Sequence, residues 1–177
     1  MSSIFFPNEY VKSIYAINYK ELQKKGIKGL VFDIDNTLVP YFIQTPPKKI
    51  TGFIRKLVMQ GFKVTLVSNN TKKRVELFMQ QLDDKGLQIK AFHRAKKPSK
   101  INLSKAIEHM NLDKKKVALI GDQIFTDVLG GNRTGLYTIL VKPISDKDEP
   151  ITKIKRGIES LVIKKYLKIL NNEKKKE

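Results

Sequence analysis

Eight polar residues in this chain have the types and spacing to hold a cation and do chemistry around it. They are Asp33 and Asp35 with Thr37 just beyond, Ser68 and Asn69, Lys97, and Asp122 with Asp127 five residues on. The first pair is the most telling. An apolar run, Leu30-Val31-Phe32, leads straight into Asp33-Ile34-Asp35, the pattern of a buried parallel strand that releases two carboxylates at its carboxyl end. In open α/β sheets that edge is where ligands bind. Alternate strand residues share a face, so the two carboxylates leave as neighbours, and like charges so close call for a cation. An isolated D-x-D pair serves equally well to cap a strand turn, so the pair has to be weighed against the rest of the chain.

The elements that must position these residues alternate along the sequence. Tyr10, Val11, Ile14 and Tyr15 recur at helical spacing, and a second short helix over 19–25 stops at Gly26, which makes residues 1–28 a helical lead-in. Strands are expected over 29–32, 62–67, 87–92, 116–120 and 136–141. Between them come helices over 47–60 (Ile50, Phe53, Ile54, Leu57, Val58 on one face), 71–82, 98–110 and 124–131. Pro98 is read as a first-turn proline. Gly130 to Gly135 is read as a helix stop and turn, since its glycines lack the G-x-G-x-x-G spacing of a nucleotide cradle. The alternation predicts an α/β fold: a five-stranded parallel sheet with right-handed crossovers and helices on both faces, over 29–149.

From Pro150 the pattern changes. Ile151, Ile154, Ile158, Leu161, Val162 and Ile169 fall on one stripe, interleaved with Lys153, Lys155, Arg156, Lys164, Lys165 and Lys168, before a charged tail from Asn171. Residues 150–177 therefore read as a basic amphipathic helix suited to an anionic lipid surface. A helix laying its stripe on the sheet or on a second subunit has the same pattern.

Composition sets the outer bounds. At 177 residues and 41% hydrophobic content the chain can bury one sizeable core. It has no cysteine, which excludes disulfides and thiolate metal sites. No apolar run is long enough to span a bilayer, and the N-terminus lacks a basic segment ahead of a long apolar core. With 35 Lys+Arg against 17 Asp+Glu the net charge is +18, which favours an anionic partner: lipid surface, nucleic acid or phosphorylated small molecule. Solvated lysine-rich faces give the same balance without any partner.

The eight residues fall at four places that this layout puts on one edge of one sheet: the ends of strands one, two and four, and the start of the helix at Lys97-Pro98. Any one of them is weak, but the set in this order is specific. D-x-D-x-T, then Ser-Asn after a hydrophobic run, then Lys-Pro, then G-D-x-x-x-x-D resembles the haloacid dehalogenase superfamily of phosphohydrolases. The match runs from about residue 29 to 141. The stretches Gly121–Arg133 and Glu9–Tyr15 resemble the YqeG-type subclass within subclass IIIA, related to mitochondrial phosphatases that act on phosphatidylglycerophosphate. The resemblance implies an uncapped HAD-like Rossmannoid three-layer sandwich and a phosphoric monoester hydrolase.

The resemblance also implies residue roles. Asp33 is the nucleophile that forms an aspartyl-phosphate. Asp35 protonates the leaving alcohol and then activates water, which divides one hard step into two. Ser68 donates its hydroxyl and Asn69 its backbone amide to the phosphoryl oxygens, and Lys97 adds its charge at a helix N-terminus. Asp127 orients Lys97 or a metal-bound water, with Thr37 also in support. Physical chemistry asks for the same charges. A phosphate dianion ~4 Å from a carboxylate is repelled by about 1 kcal/mol per charge pair in water and ~4 at an effective dielectric of 20. Mg²⁺ is the expected cofactor, held by Asp33, Asp122 and the backbone carbonyl of Asp35.

About thirty residues separate Asp35 from Ser68, and about as many separate Asn69 from Lys97. That leaves no room for a cap domain and implies an open site suited to a phosphate presented on a surface. The reading is a Mg²⁺-dependent phosphatase converting phosphatidylglycerophosphate to phosphatidylglycerol, cytoplasmic and peripheral on the inner membrane face, with the basic helix on anionic phospholipid. The alternative is a phosphatase of a nucleic-acid end, a phosphoprotein or a small phosphate ester. A third is a non-catalytic RNA- or ribosome-binding protein, which would have no need of Asp33, Asp35, Lys97 and Asp122 together.

Overall fold

The computed structural model describes residues 3–82, 86–145 and 150–174. Six strands form one sheet in which every neighbouring pair is parallel: β1 (Glu9–Val11), β2 (Gly29–Phe32), β3 (Lys63–Val67), β4 (Lys90–Phe92), β5 (Val117–Gly121) and β6 (Tyr137–Val141), in the order β1-β6-β5-β2-β3-β4. β2 lies between β3 and β5, with Phe32 level with Leu66 and Ile120, so the three strands end side by side. Asp33, Ser68 and Asp122 are the next residues out.

The sheet has one strand more than the alternation predicts. Glu9–Val11 pairs with Ile139–Val141 at the edge, and a 3-10 turn, Ile14–Ala16, follows it. The expected helix over Tyr10–Tyr15 does not form. Val11 packs on one face of the sheet and Tyr10 on the other, so two of its apolar residues follow strand alternation. Asn8 ties the segment down: its Oδ1 accepts from the Thr138 backbone amide at 2.7 Å.

Alternation along β2 sorts the core. Leu30 and Phe32 face a large cluster covered by α1 (Tyr19–Lys24), α2 (Lys48–Met59) and α3 (Lys72–Leu82). Val31 faces a second cluster covered by α4 (Ile101–Met110) through Leu103, Ala106 and Met110. The sheet and the helices on its two faces form the expected α/β three-layer sandwich. The helix expected from Pro98 starts later, at Ile101. Lys97-Pro98 is a cis peptide within a turn closed by the Ser99 amide donating to the Lys96 carbonyl, so Lys97 does not sit on the α4 N-terminus.

Beyond β5 a single π-turn (Ile124–Val128) runs into α5 (Leu129–Thr134). Gly130 and Gly131 lie inside that helix rather than ending it. A Cβ at Gly130 would press on the Pro98 backbone at 3.2 Å. The stop is at Gly135, whose φ of 83° suits a left-handed cap.

The C-terminal helix α6 (Pro150–Lys174) docks on a third small cluster of Ile124, Val128 and Leu140. Its side chains are described over 157–172, so Ile151, Lys153, Ile154, Lys155, Arg156 and the tail beyond 174 lie outside the described residues. The docked face is Glu159, Ile163 and Tyr166 (i, i+4, i+7), with Val162 at its margin. The Tyr166 ring lies 5.5 Å from that of Phe6. Ile158 (55% exposed) and Leu161 (64% exposed) point away from the body and share their face with the exposed Lys165 and Lys168. Of the stripe expected from sequence, Val162 therefore packs on the body while Ile158 and Leu161 do not.

Candidate active site

The site is made where β2, β3 and β5 end. After Phe32 the chain turns sharply: the Ile34 carbonyl accepts from the Leu38 and Val39 amides, and Asn36 takes a left-handed φ of 60°, which asparagine tolerates. The turn brings Thr37 back to the sheet edge, where its hydroxyl donates to Asp122 Oδ1 at 3.1 Å. Asp33 and Lys97, only 7% and 5% exposed, meet at 2.6 Å between Lys97 Nζ and Asp33 Oδ1. The same ammonium reaches Asp127 Oδ1 at 2.7 Å.

Local structure holds each partner. Asp127 is presented by the π-turn, and its Oδ2 accepts from the Gln123 amide at 3.1 Å. Gly121 makes room for it, since a Cβ there would overlap the Asp127 carboxyl. Asn69 grips the Lys97 backbone from both sides. Its Oδ1 accepts from the Lys97 amide at 2.7 Å and its Nδ2 donates to the Lys97 carbonyl at 3.2 Å. Ser68 is buried, and its Oγ accepts from the Asn70 amide at 3.1 Å. All eight residues singled out from sequence thus lie within one set of loops.

The charges do not balance. Asp33, Asp122 and Asp127 are all buried, and each offers a carboxylate oxygen within 4.8 Å of the others. Lys97 is ion-paired with two of them, Asp33 and Asp127. Burial pushes the Asp33 carboxyl well above the usual aspartate range; Lys97 pulls it back, and Asp127, Asp122 and Asp35 add to the push. Burial alone would discharge Lys97, but Asp127 and Asp33 outweigh it and hold the ammonium above its ordinary value. Hard oxygen donors with an excess of negative charge, and no nitrogen or sulfur donor in the group, fit Mg²⁺. The cluster contains the Asp127 carboxylate, whereas the Asp35 side chain is turned elsewhere. Any part for Asp35 in metal binding falls to its backbone carbonyl.

What holds Asp35 was not legible in the sequence. Arg74 Nη2, on α3, meets Asp35 Oδ1 at 2.8 Å, and Asn70 Nδ2 donates to its Oδ2 at 3.1 Å. The same guanidinium donates to the Ile43 and Gln44 carbonyls at 2.7 and 2.8 Å, and lies 5.4 Å from the Phe78 ring. Arg74 thus ties the 40–47 segment to Asp35. The two partners are 39 residues apart, and no local pattern links them.

Between Asp35 and Ser68 the chain spends its length on the 40–47 segment and α2; between Asn69 and Lys97 it spends it on α3 and β4. No cap domain is found among the described residues. This α/β sheet, with its D-x-D turn, Ser-Asn, Lys-Pro and G-D-x-x-x-x-D loops on one edge, is that of a phosphohydrolase of the haloacid dehalogenase superfamily. Within that class the chain belongs to the family described as mitochondrial PGP phosphatase, whose profile matches residues 1–145.

The chain is 37% identical over 163 residues to the probable phosphatase YqeG of Bacillus subtilis, covering 92% of each chain. It is 30% identical over 175 residues to phosphatidylglycerophosphate phosphatase 1, chloroplastic/mitochondrial, of Arabidopsis thaliana. There it covers 92% of this chain and 48% of the plant protein, about half its length. A crystal structure of an uncharacterized protein from Listeria monocytogenes shares the fold. Its TM-score is 0.55 at 18% identity, over 70% of this chain and 85% of that one. The protein is a phosphoric monoester hydrolase.

Proposed function

We propose that this phosphatase removes the terminal phosphate of phosphatidylglycerophosphate, leaving phosphatidylglycerol, at an anionic membrane face. The observation that carries the reading is the open site in a chain of this family: the reacting aspartates stand at the sheet edge with no domain over them among the described residues, which suits a phosphate that stays attached to a bilayer. The two plant and algal relatives named as phosphatidylglycerophosphate phosphatases point the same way.

In this reading Asp33 attacks phosphorus and carries the phosphoryl group as an aspartyl-phosphate. Asp35 gives its proton to the departing alcohol oxygen and then takes one from the attacking water. Ser68 Oγ and the Asn69 amide receive the phosphoryl oxygens. Lys97, locked between Asp33 and Asp127, neutralises charge developing there without having to reorganise. Asp33, Asp122 and the Asp35 carbonyl would hold Mg²⁺, which supplies charge neutralisation for the phosphoryl oxygens.

Arg74 fixes which way the Asp35 carboxyl faces. Arg74→Gln is expected to lower kcat by about 10- to 100-fold, the usual scale for losing a partner that orients a functional group, with KM little changed. Arg74→Lys keeps one charge but not the fork, and recovers only part of the rate. An unaltered melting curve alongside the lowered kcat separates this from general damage.

The outward face of α6 is the membrane-facing surface in this reading, with Ile158 and Leu161 entering the interface and Lys165 and Lys168 meeting anionic headgroups. Among the described residues no helix is long and apolar enough to cross a membrane. The test is phosphate release from phosphatidylglycerophosphate in phosphatidylglycerol-containing vesicles with Mg²⁺. Ile158→Ser together with Leu161→Ser should abolish vesicle flotation and spare hydrolysis of a soluble ester, because neither side chain packs on the body. Removing the whole helix is a poorer test. It would also remove Glu159, whose carboxylate accepts from the Phe125 amide at 3.1 Å, two residues from Asp127. No release from the lipid alongside brisk hydrolysis of a phosphorylated nucleic-acid end would favour the alternative substrate.

A further inference from the structure

The start of α3 and the loop after β4 carry cations that none of the steps above uses. Thr71, Lys72, Lys73, Glu76, Gln80 and Arg94 line an open groove of about 590 Å³. It is built on the same loops as the phosphate site. Thr71 follows Asn70, which holds Asp35, and the Arg94 amide donates to the Asn70 carbonyl at 2.8 Å. The next amide, that of Ala95, donates to the Ser68 carbonyl at 3.0 Å, two residues before Lys97. Arg94 is held at a φ of 46°, a conformation unfavourable for arginine that the surrounding hydrogen bonds impose.

Three cations face one carboxylate in this groove. Lys72 pairs with Glu76 at 3.6 Å, one turn along the helix, while Lys73 and Arg94 have no ion pair among the described residues. An arginine with its planar fork and a nearby lysine, both solvent-exposed, are what a second anionic oxygen cluster requires.

We propose that this groove receives a second phosphate of the same substrate: a phosphodiester joined through a short polyol to the phosphomonoester cleaved at Asp33. The inference rests on the lipid-phosphate reading above, in which the substrate carries such a diester one glycerol away from its terminal phosphate. It makes the groove the part of the site that distinguishes a headgroup from a simple phosphate ester.

The experiment measures kcat/KM with Mg²⁺ for two soluble substrates, glycerophosphoryl-glycerophosphate and p-nitrophenyl phosphate, and follows their ratio. Arg94→Gln and Lys73→Gln should each lower the ratio about tenfold through KM for the headgroup, the scale of one charged contact. Arg94→Lys should restore much of it. Glu76→Gln should raise the ratio, since it removes the one opposing charge, and a disturbed loop would not produce that opposite sign. An unchanged ratio in the Arg94 and Lys73 variants overturns the groove assignment alone, as does a ratio that falls in Glu76→Gln. A wild-type enzyme that cleaves p-nitrophenyl phosphate but not the headgroup overturns the lipid reading and this one with it.

Discussion

Asp33→Asn should lower Mg²⁺-dependent phosphate release by about 10⁴-fold or more, the scale seen when a covalent nucleophile is removed, while making the metal-free protein harder to melt. The two effects come from one cause. The Asp33 carboxylate is buried next to Asp127 and Asp122, an arrangement useful for phosphate chemistry and costly without a cation. An asparagine keeps the shape and can accept from Lys97 through its oxygen, but it brings no charge to the cluster. Site-directed replacement, a p-nitrophenyl phosphate assay and a melting curve in EDTA check both halves. A variant as active as the parent would remove Asp33 from the role of nucleophile.

The pH dependence of the metal-free protein follows from the same group. The folded-state pKa of Asp33 lies above its unfolded value, so between the two the folded state binds more protons than the unfolded one. Stability is then highest below the ordinary aspartate range and falls as pH rises through that window. Mg²⁺ binding removes the effect, and Asp33→Asn removes it without metal. Melting curves across acidic pH, with and without Mg²⁺, give the sign directly.

Lys97→Ala should cost stability as well as activity. It leaves Asp33 and Asp127 buried without the ammonium they share. Breaking a buried ion pair from one side typically costs about 3–5 kcal/mol, which for a chain of this size is a fall of roughly 6–20 °C in Tm. Saturating Mg²⁺ should recover part of that loss, because it supplies charge to the same carboxylates. It should not recover the rate, because Lys97 stands at a place the metal ligands do not fill. Opposite shifts in Tm for Asp33→Asn and Lys97→Ala separate this electrostatic account from simple packing damage, which would lower both.

Much of the site was legible along the chain because its parts are short and local. Each lies at the end of an apolar strand, and a run such as Leu30-Val31-Phe32 announces its own end. Helix positions such as Ile50, Ile54 and Leu57, or Val75, Phe78 and Leu82, likewise carry their periodicity in view. The alternation of these elements was enough for a parallel α/β sheet, and the four polar loops for a phosphatase.

The remainder depended on partners far away in the sequence. Glu9–Val11 became a strand because β6 offered an open edge 128 residues later, a competition that periodicity within 1–28 cannot register. Arg74 reads as one more basic residue on α3 until folding brings Asp35 and the Ile43 and Gln44 carbonyls to it. The C-terminal helix shows the same limit. Its apolar stripe was plain, but a buried glutamate, Glu159, is on the face that docks, because its carboxylate satisfies the Phe125 amide in the π-turn. Sequence by itself determined which polar residues gather at the sheet edge, since most of them follow the end of an apolar strand of their own. Only the tertiary structure decided how Asp35 is aimed and which side of the last helix is left exposed, since long-range hydrogen bonds and burial leave no period in the chain.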